Sequence, residues 1–96
     1  MQFLITAYDG EDEAAASRRA AARPAHLEGA RELLAGGHLL IGGAILDSEA
    51  NMIGSSMIVE FENREALDQW LNHDPYITEG VWQDITVQPF RVAVKT

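Results

Sequence analysis

The sequence predicts an α+β fold with the element order β-α-β-β-α-β. Two observations carry this prediction: extended stretches near both ends and two more in the middle, and the helical patterns that separate the middle pair from the ends. Residues Gln2 to Tyr8 are extended in character, rich in aromatic and branched side chains, and Asp9-Gly10 stops them. Glu11 to Ala22 is rich in Ala, Glu and Arg, which favour helix. Pro24 lacks an N–H and disfavours helix at the residue before it, so a short helix to about Ala22 is expected, followed by a fresh start or a kink. The second piece runs to Ala35, where Gly36-Gly37 supplies a stop.

His38 to Leu46 reads as a strand and Asp47 to Asn51 as a turn. Ser55 to Glu62 alternates, with Met57, Val59 and Phe61 on one face. Asn63 is a suitable N-cap for a helix over Arg64 to Asn72, whose Ala66, Leu67, Trp70 and Leu71 form one apolar stripe. Asp74-Pro75-Tyr76 begins a short turn or helix ending at Gly80. Val81 to Val94 is a long last strand, and Pro89 within it signals an edge, a bulge or a break. This order is the ferredoxin-like arrangement, an antiparallel sheet with both helices on one face.

The other face of the sheet is apolar as well. Strand one places Phe3, Ile5 and Ala7 on one side and Leu4 and Tyr8 on the other. In the last strand, Val81, Ile85 and Val87 oppose Trp82, Phe90, Val92 and Val94. Two helices cover one face, so a symmetric homodimer, alone or within a higher assembly, is the expected cover for the second.

Composition narrows the function classes. A chain of 96 residues has room for one domain. A formal net charge of −8 disfavours nucleic-acid backbones and anionic membrane surfaces, both of which require clustered Lys and Arg. Cysteine is absent, which removes disulfides, thiolate chemistry and cysteine-ligated zinc. There is no signal-peptide pattern and no apolar run of the ~20 residues that a membrane span requires, so a cytoplasmic location is expected. No phosphate-binding glycine loop is present, and His26, His38 and His73 are too scattered for a metal site on one helix. Any chemistry is expected to be proton transfer on a small-molecule substrate, without cofactor or metal.

His26 is the most informative position. Helical phasing places it between Ala30 and Leu33, on the side of Leu27, Ala30, Leu33 and Leu34 that faces the sheet. A buried imidazole needs a hydrogen-bond partner, either as a satisfied core histidine or as a functional group. Asp74 is a candidate partner. A carboxylate that accepts an imidazole N–H fixes the tautomer and prepares the other nitrogen as a base. Asp before Pro is equally the pattern of an N-cap, and one carboxylate has oxygens for both roles. Arg19 and Arg23 present a cationic edge suited to an anionic or phenolate oxygen, or a solvated face paired with Glu11, Asp12 and Glu13. Ser55 is either a pocket-mouth hydroxyl or a turn serine, and Tyr76 is either a phenol beside Asp74 or a packing aromatic. His73 is a rival base at an exposed helix end.

Arg23-Pro24-Ala25-His26-Leu27, Gly54-Ser55-Ser56, Asp74-Pro75-Tyr76, Gly80-Val81 and Val87-Gln88-Pro89-Phe90, taken in order, resemble the YCII-related family along essentially the whole chain. The resemblance implies a dimeric α+β barrel of two ferredoxin-like sheets packed face to face. It implies His26 and Asp74 as the catalytic pair, with Arg19, Arg23 and Ser55 at its arginine and serine positions; the reading of the residues adds Tyr76, expected with Ser55 to position the substrate. The resemblance further implies a cofactor-free lyase or isomerase acting on small oxygenated rings, such as dehydrochlorination of a chlorinated hydroxyhydroquinone or isomerisation of a muconolactone. A non-catalytic dimer that binds a small aromatic metabolite is the alternative, and a purely structural assembly protein is a third.

Overall fold

The computed structural model describes residues Met1–Thr96. The elements are β1 (Gln2–Asp9), α1 (Ala15–Ala35), β2 (Leu39–Leu46), β3 (Met52–Glu60), α2 (Arg64–Leu71), α3 (Pro75–Thr78) and β4 (Trp82–Phe90). The strands form one sheet in the order β2-β3-β1-β4, with every neighbouring pair antiparallel. This is the ferredoxin-like α+β fold. No helix is long and apolar enough to cross a membrane.

Alternation along the two central strands builds the core. Phe3, Ile5 and Ala7 of β1 lie opposite Val59, Met57 and Ser55 of β3, and the apolar members of both sets are buried. Leu67 and Leu71 of α2 and Ala22 of α1 close over them. Asn63 caps α2 by accepting the Ala66 amide at 2.8 Å. Helix α1 ends at Gly37 in the left-handed region (φ 80°), with the His38 amide bonded to the Leu33 carbonyl and the Gly37 amide to the Leu34 carbonyl. Gly54 is required by close approach, because a Cβ there would run into the carbonyl oxygen of Ala7.

Three sequence expectations are corrected. Helix α1 is one continuous helix of 21 residues that starts at Ala15 and contains Pro24 in its interior. The proline deprives the Ala20 carbonyl of its partner four residues on, and Ala20 lies on the exposed side of the helix, where such a loss is tolerated. Leu34, expected on the inner side, is 56% exposed; the buried stripe is instead Arg19, Ala22 and His26. The last strand ends at Phe90, so Val92 and Val94 lie beyond the sheet. Pro89 sits on β4 at the sheet edge, where a missing N–H is tolerated.

The face turned away from the helices carries Leu4, Ile41, Ile58, Tyr8 and Phe90, placed together by the strand registers. Ile41 is 66% exposed, and Tyr8 and Phe90 are also exposed. The second apolar face anticipated from the strand pattern is therefore present on the chain.

Candidate active site

A helix advances 100° per residue, so residues seven apart nearly eclipse one another. Arg19 and His26 consequently share one stripe of α1, with Arg23 between them on the flank. The stripe faces the inner surface of β3, where Ser55 projects, and the start of α3, where Asp74 and Tyr76 sit. Arg19, His26, Ser55, Asp74 and Tyr76 are all buried.

Asp74 meets His26 directly. Nδ1 of the imidazole lies 2.9 Å from Oδ2 and 3.2 Å from Oδ1 of the carboxylate. Oδ2 also accepts the backbone N–H of Tyr76 at 2.9 Å, so Asp74 caps α3 and holds the imidazole through the same oxygen. An ionised carboxylate only accepts, which makes Nδ1 the protonated nitrogen and leaves Nε2 with its lone pair free. No group of the chain bonds Nε2. The imidazole lies flat on the Tyr76 ring, centroids 3.8 Å apart, and meets Trp82 edge-on at 5.5 Å.

The two arginines behave differently. Arg19 is anchored: Nη1 donates to both oxygens of Asp9 at 2.9 and 3.0 Å, and Nη2 donates to Ser55 Oγ at 3.0 Å. Its guanidinium also lies 4.9 Å from the Tyr76 ring centroid. Arg23 is exposed and makes no ion pair or side-chain hydrogen bond. It stands at the rim as an uncompensated cation on an acidic protein. Trp82 Nε1 donates to Ser55 Oγ at 3.1 Å, which ties β4 to β3 beneath the site.

These side chains surround a cavity of about 230 Å³ between α1 and the β2–β3 half of the sheet. Arg19, Arg23, His26, Ser55 and Tyr76 line it, with Leu27, Leu39 and Met57 as an apolar wall and Gly42, Gly43 and Ala44 as a floor with little side chain. Asp74 stands behind His26. Burial pushes the Tyr76 phenol above its ordinary value, against the opposing pull of Arg19 and Arg23. The phenol therefore stays protonated across the neutral range, and no group of the chain occupies its oxygen. The arrangement offers a free imidazole nitrogen, a phenol and a guanidinium in one apolar space, which suits proton transfer on a planar oxygenated molecule.

All six residues singled out from the sequence thus meet at one place. His38 and His73 do not: their Nδ1 atoms bond the carbonyls of Glu60 at 2.9 Å and Gln69 at 2.7 Å, and neither lines the cavity. Two residues of the site escaped the sequence reading, Asp9 and Trp82. Asp9 looked like the end of a strand. Trp82 was expected on the outer face, but a bulge turns it inward. Tyr8 pairs with Asp84 while Asp9 pairs with Trp82, so Gln83 is an extra residue that inverts the alternation.

The family model for the YCII-related domain matches residues 1–91. The chain belongs to the YCII-related family. It is 37% identical over 97 residues to Protein YciI of Escherichia coli O6:H1, covering 95% of this chain and 97% of that protein. Among solved structures, this YCII-related chain is similar to 5-chloro-2-hydroxyhydroquinone dehydrochlorinase (TftG) from Burkholderia phenoliruptrix AC1100, solved in complex with 2,5-dihydroxybenzoquinone. The TM-score is 0.83 and the identity 25%, covering 95% of this chain and 94% of that one. A dimeric ferredoxin-like protein of unknown function from Jannaschia sp. CCS1 shares the fold, at a TM-score of 0.54 and 19% identity, covering 95% and 98% of the two chains. The YCII-related domain thus carries its cavity on a fold shared with a dehydrochlorinase.

Proposed function

We propose that this YCII-related domain is a lyase or isomerase that moves protons on a small oxygenated ring, with dehydrochlorination of a chlorinated hydroxyhydroquinone as the leading reaction. The observation that carries the reading is the 2.9 Å contact between His26 Nδ1 and Asp74 Oδ2, which leaves Nε2 basic and unoccupied at an apolar cavity. The similarity to a dehydrochlorinase over 95% of the chain supports the choice of reaction.

In this reaction the substrate enters as the keto tautomer, with a proton on the ring carbon that bears chlorine. His26 Nε2 takes a hydroxyl proton, the released electron pair forms a carbonyl and shifts the adjacent double bond, and chloride leaves with the C–Cl pair. The net change is loss of HCl. Arg23 stabilises the developing oxyanion, Tyr76 and Ser55 position the ring, and Arg19 holds Ser55. The working unit is a cytoplasmic homodimer with the Leu4–Ile41–Ile58 faces of two sheets packed together. The exposure of that face supports it, as does the dimeric ferredoxin-like structure that shares the fold.

The test is chloride release from 5-chloro-2-hydroxyhydroquinone by wild type and His26→Ala, with a protein-free control for spontaneous oxidation. Wild type is expected to release chloride, and His26→Ala at least about 100-fold more slowly while keeping its circular dichroism spectrum. Equal release by both would overturn the mechanism. Stoichiometric binding of 2,5-dihydroxybenzoquinone with no turnover would make the domain a binding module.

A further inference from the structure

Where β2 forms the cavity wall, that wall is thin. The strand is an edge strand, bonded to β3 alone. Its register runs unbroken only from Ile41 to Ile45, with an irregularity at each end, and Gly42 and Gly43 stand in the middle of that stretch. Neither glycine has a positive φ, and a Cβ on Gly43 would meet no atom within 4 Å, so the fold of a single chain does not require glycine at 43. Glycine within a strand gives up side-chain packing and loosens the chain. The inner side of this stretch faces the cavity. On its outer side lies a hollow of about 330 Å³ that shares Gly42, Gly43, Ala44 and Met57 with the cavity. The wall is thus open on both faces and held along one edge.

We infer that a second copy of this chain fills the outer hollow and braces β2, so that pairing of the copies and ligand binding in the cavity strengthen each other. The chemistry of the outer face names the occupant. Strand registers align Ile41, Ile58, Leu4 and Gln88 in one row across the sheet, and Gly43, Ser56, Thr6 and Thr86 in the next. Neither row carries a charge, and the first one met, Asp84, stands opposite Tyr8 one row further on. The chain has a net charge of −8, so two copies repel over most of their surfaces and can meet at this uncharged, apolar face. Gly43 sits within it, and its missing side chain lets the partner come close to the β2 backbone. A strand held by one neighbour opens more readily than the core. A ligand that needs the wall in place binds more weakly by the fraction of molecules in which it is in place. A partner that raises this fraction raises ligand affinity, and the ligand in return tightens the pairing. The inference rests on the homodimer reading and makes the cavity incomplete without the second copy.

The test is titration of the full-length protein with 2,5-dihydroxybenzoquinone, at protein concentrations on either side of dimer dissociation measured by sedimentation. Ile41→Glu supplies a monomer where wild type does not come apart, and Ile41 does not line the cavity. The quinone is expected to bind the monomer roughly tenfold more weakly than the dimer, and saturating quinone to tighten the dimer about a hundredfold, one factor for each cavity. Hydrogen exchange gives a reading that needs no ligand: the amides of residues 42–44 should exchange faster in the monomer, with those of β1 unchanged. Gly43→Val fills the hollow from the chain's own side. Valine suits a strand, so the chain should stay folded while the dimer weakens and quinone affinity falls with it. Equal quinone affinity in monomer and dimer, or equal exchange at residues 42–44, would overturn the inference and leave the homodimer standing. A dimer that binds no quinone, or a Gly43→Val dimer as tight as wild type, would overturn it too. A wild type that is monomeric at every concentration would remove the homodimer reading along with it.

Discussion

Oδ2 of Asp74 lies 2.9 Å from Nδ1 of His26 and, in the same geometry, 2.9 Å from the amide of Tyr76. The cap of α3 and the orientation of the imidazole therefore depend on one atom. The two roles separate by substitution. Asn is as good an N-cap as Asp, so Asp74→Asn should keep α3 and most of the stability while losing the charged acceptor for His26. Asp74→Ala removes both and should cost about 2–4 kcal/mol in urea unfolding, from the lost cap together with an unpaired buried imidazole. If Asp74→Asn retained full chloride release, the carboxylate charge would have no part in the chemistry.

Arg19 and Arg23 should divide stability from binding. The Arg19–Asp9 pair is buried, with side chains 7% and 6% exposed. Arg19→Met strands the Asp9 carboxylate and should cost about 3–5 kcal/mol, much of it recovered in the Arg19→Met/Asp9→Asn double variant. Arg23→Met should leave stability within about 0.5 kcal/mol and weaken phenolate binding at least about tenfold. Urea titration and 4-nitrophenol binding measure the two effects on the same samples.

Gly42 has no conformational reason to be glycine. Its φ is not positive, and an added Cβ would meet Met57 Cβ at 3.4 Å and Leu39 Cδ1 at 3.5 Å, which is ordinary contact. Its Cβ direction is that of its strand partner Met57, into the cavity. Gly42→Ala should leave stability unchanged or raise it by about 0.5–1 kcal/mol while weakening binding of 2,5-dihydroxybenzoquinone. A variant that binds the quinone as tightly as wild type would show that the cavity does not use this space.

Acid sensitivity should appear at the start of α1. The hydrogen bonds from Arg18 hold the Asp12 carboxyl down at about 2, against an ordinary value of 3.8. The folded value is depressed, so this contribution is fully present above about pH 4 and is lost as pH falls toward 2. Asp12→Asn should flatten the stability profile in that window and leave it unaltered at neutral pH apart from the lost pair. Thermal unfolding between pH 2 and 6 measures it.

Ile41, 66% exposed on the apolar sheet face, tests the dimer. Ile41→Glu should convert a dimer to a monomer in sedimentation, with the β1–β3 core intact. A wild type that sediments as a monomer at micromolar concentration would remove the face-to-face arrangement.

Much of this was readable from the chain. Alternation at Met57, Val59 and Phe61 and the Asn63 and Asp74 caps depend on local periodicity and local hydrogen bonds, which sequence records directly. His26 was legible because helical phase alone turns it inward. The inward turn of Arg19 was not, because a buried charge breaks the apolar stripe that phasing looks for, and its reason, Asp9, sits on another strand. Trp82 was missed for a different cause. One extra residue at Gln83 reverses the faces of everything before it, and a bulge is a property of two paired strands rather than of one. Pro24 was given too much weight, because its cost depends on whether the orphaned carbonyl can reach water.

The unbroken course of α1 through Pro24 ties the site to the length of one helix. Arg19, Arg23 and His26 hang on one rod, in fixed phase to each other. Inserting or deleting a single residue between positions 19 and 26 would leave a good helix. It would nevertheless swing Arg19 by about 100° relative to His26, away from Asp9 and Ser55. A one-residue length change in this stretch is therefore expected to take the site apart while the helix itself persists.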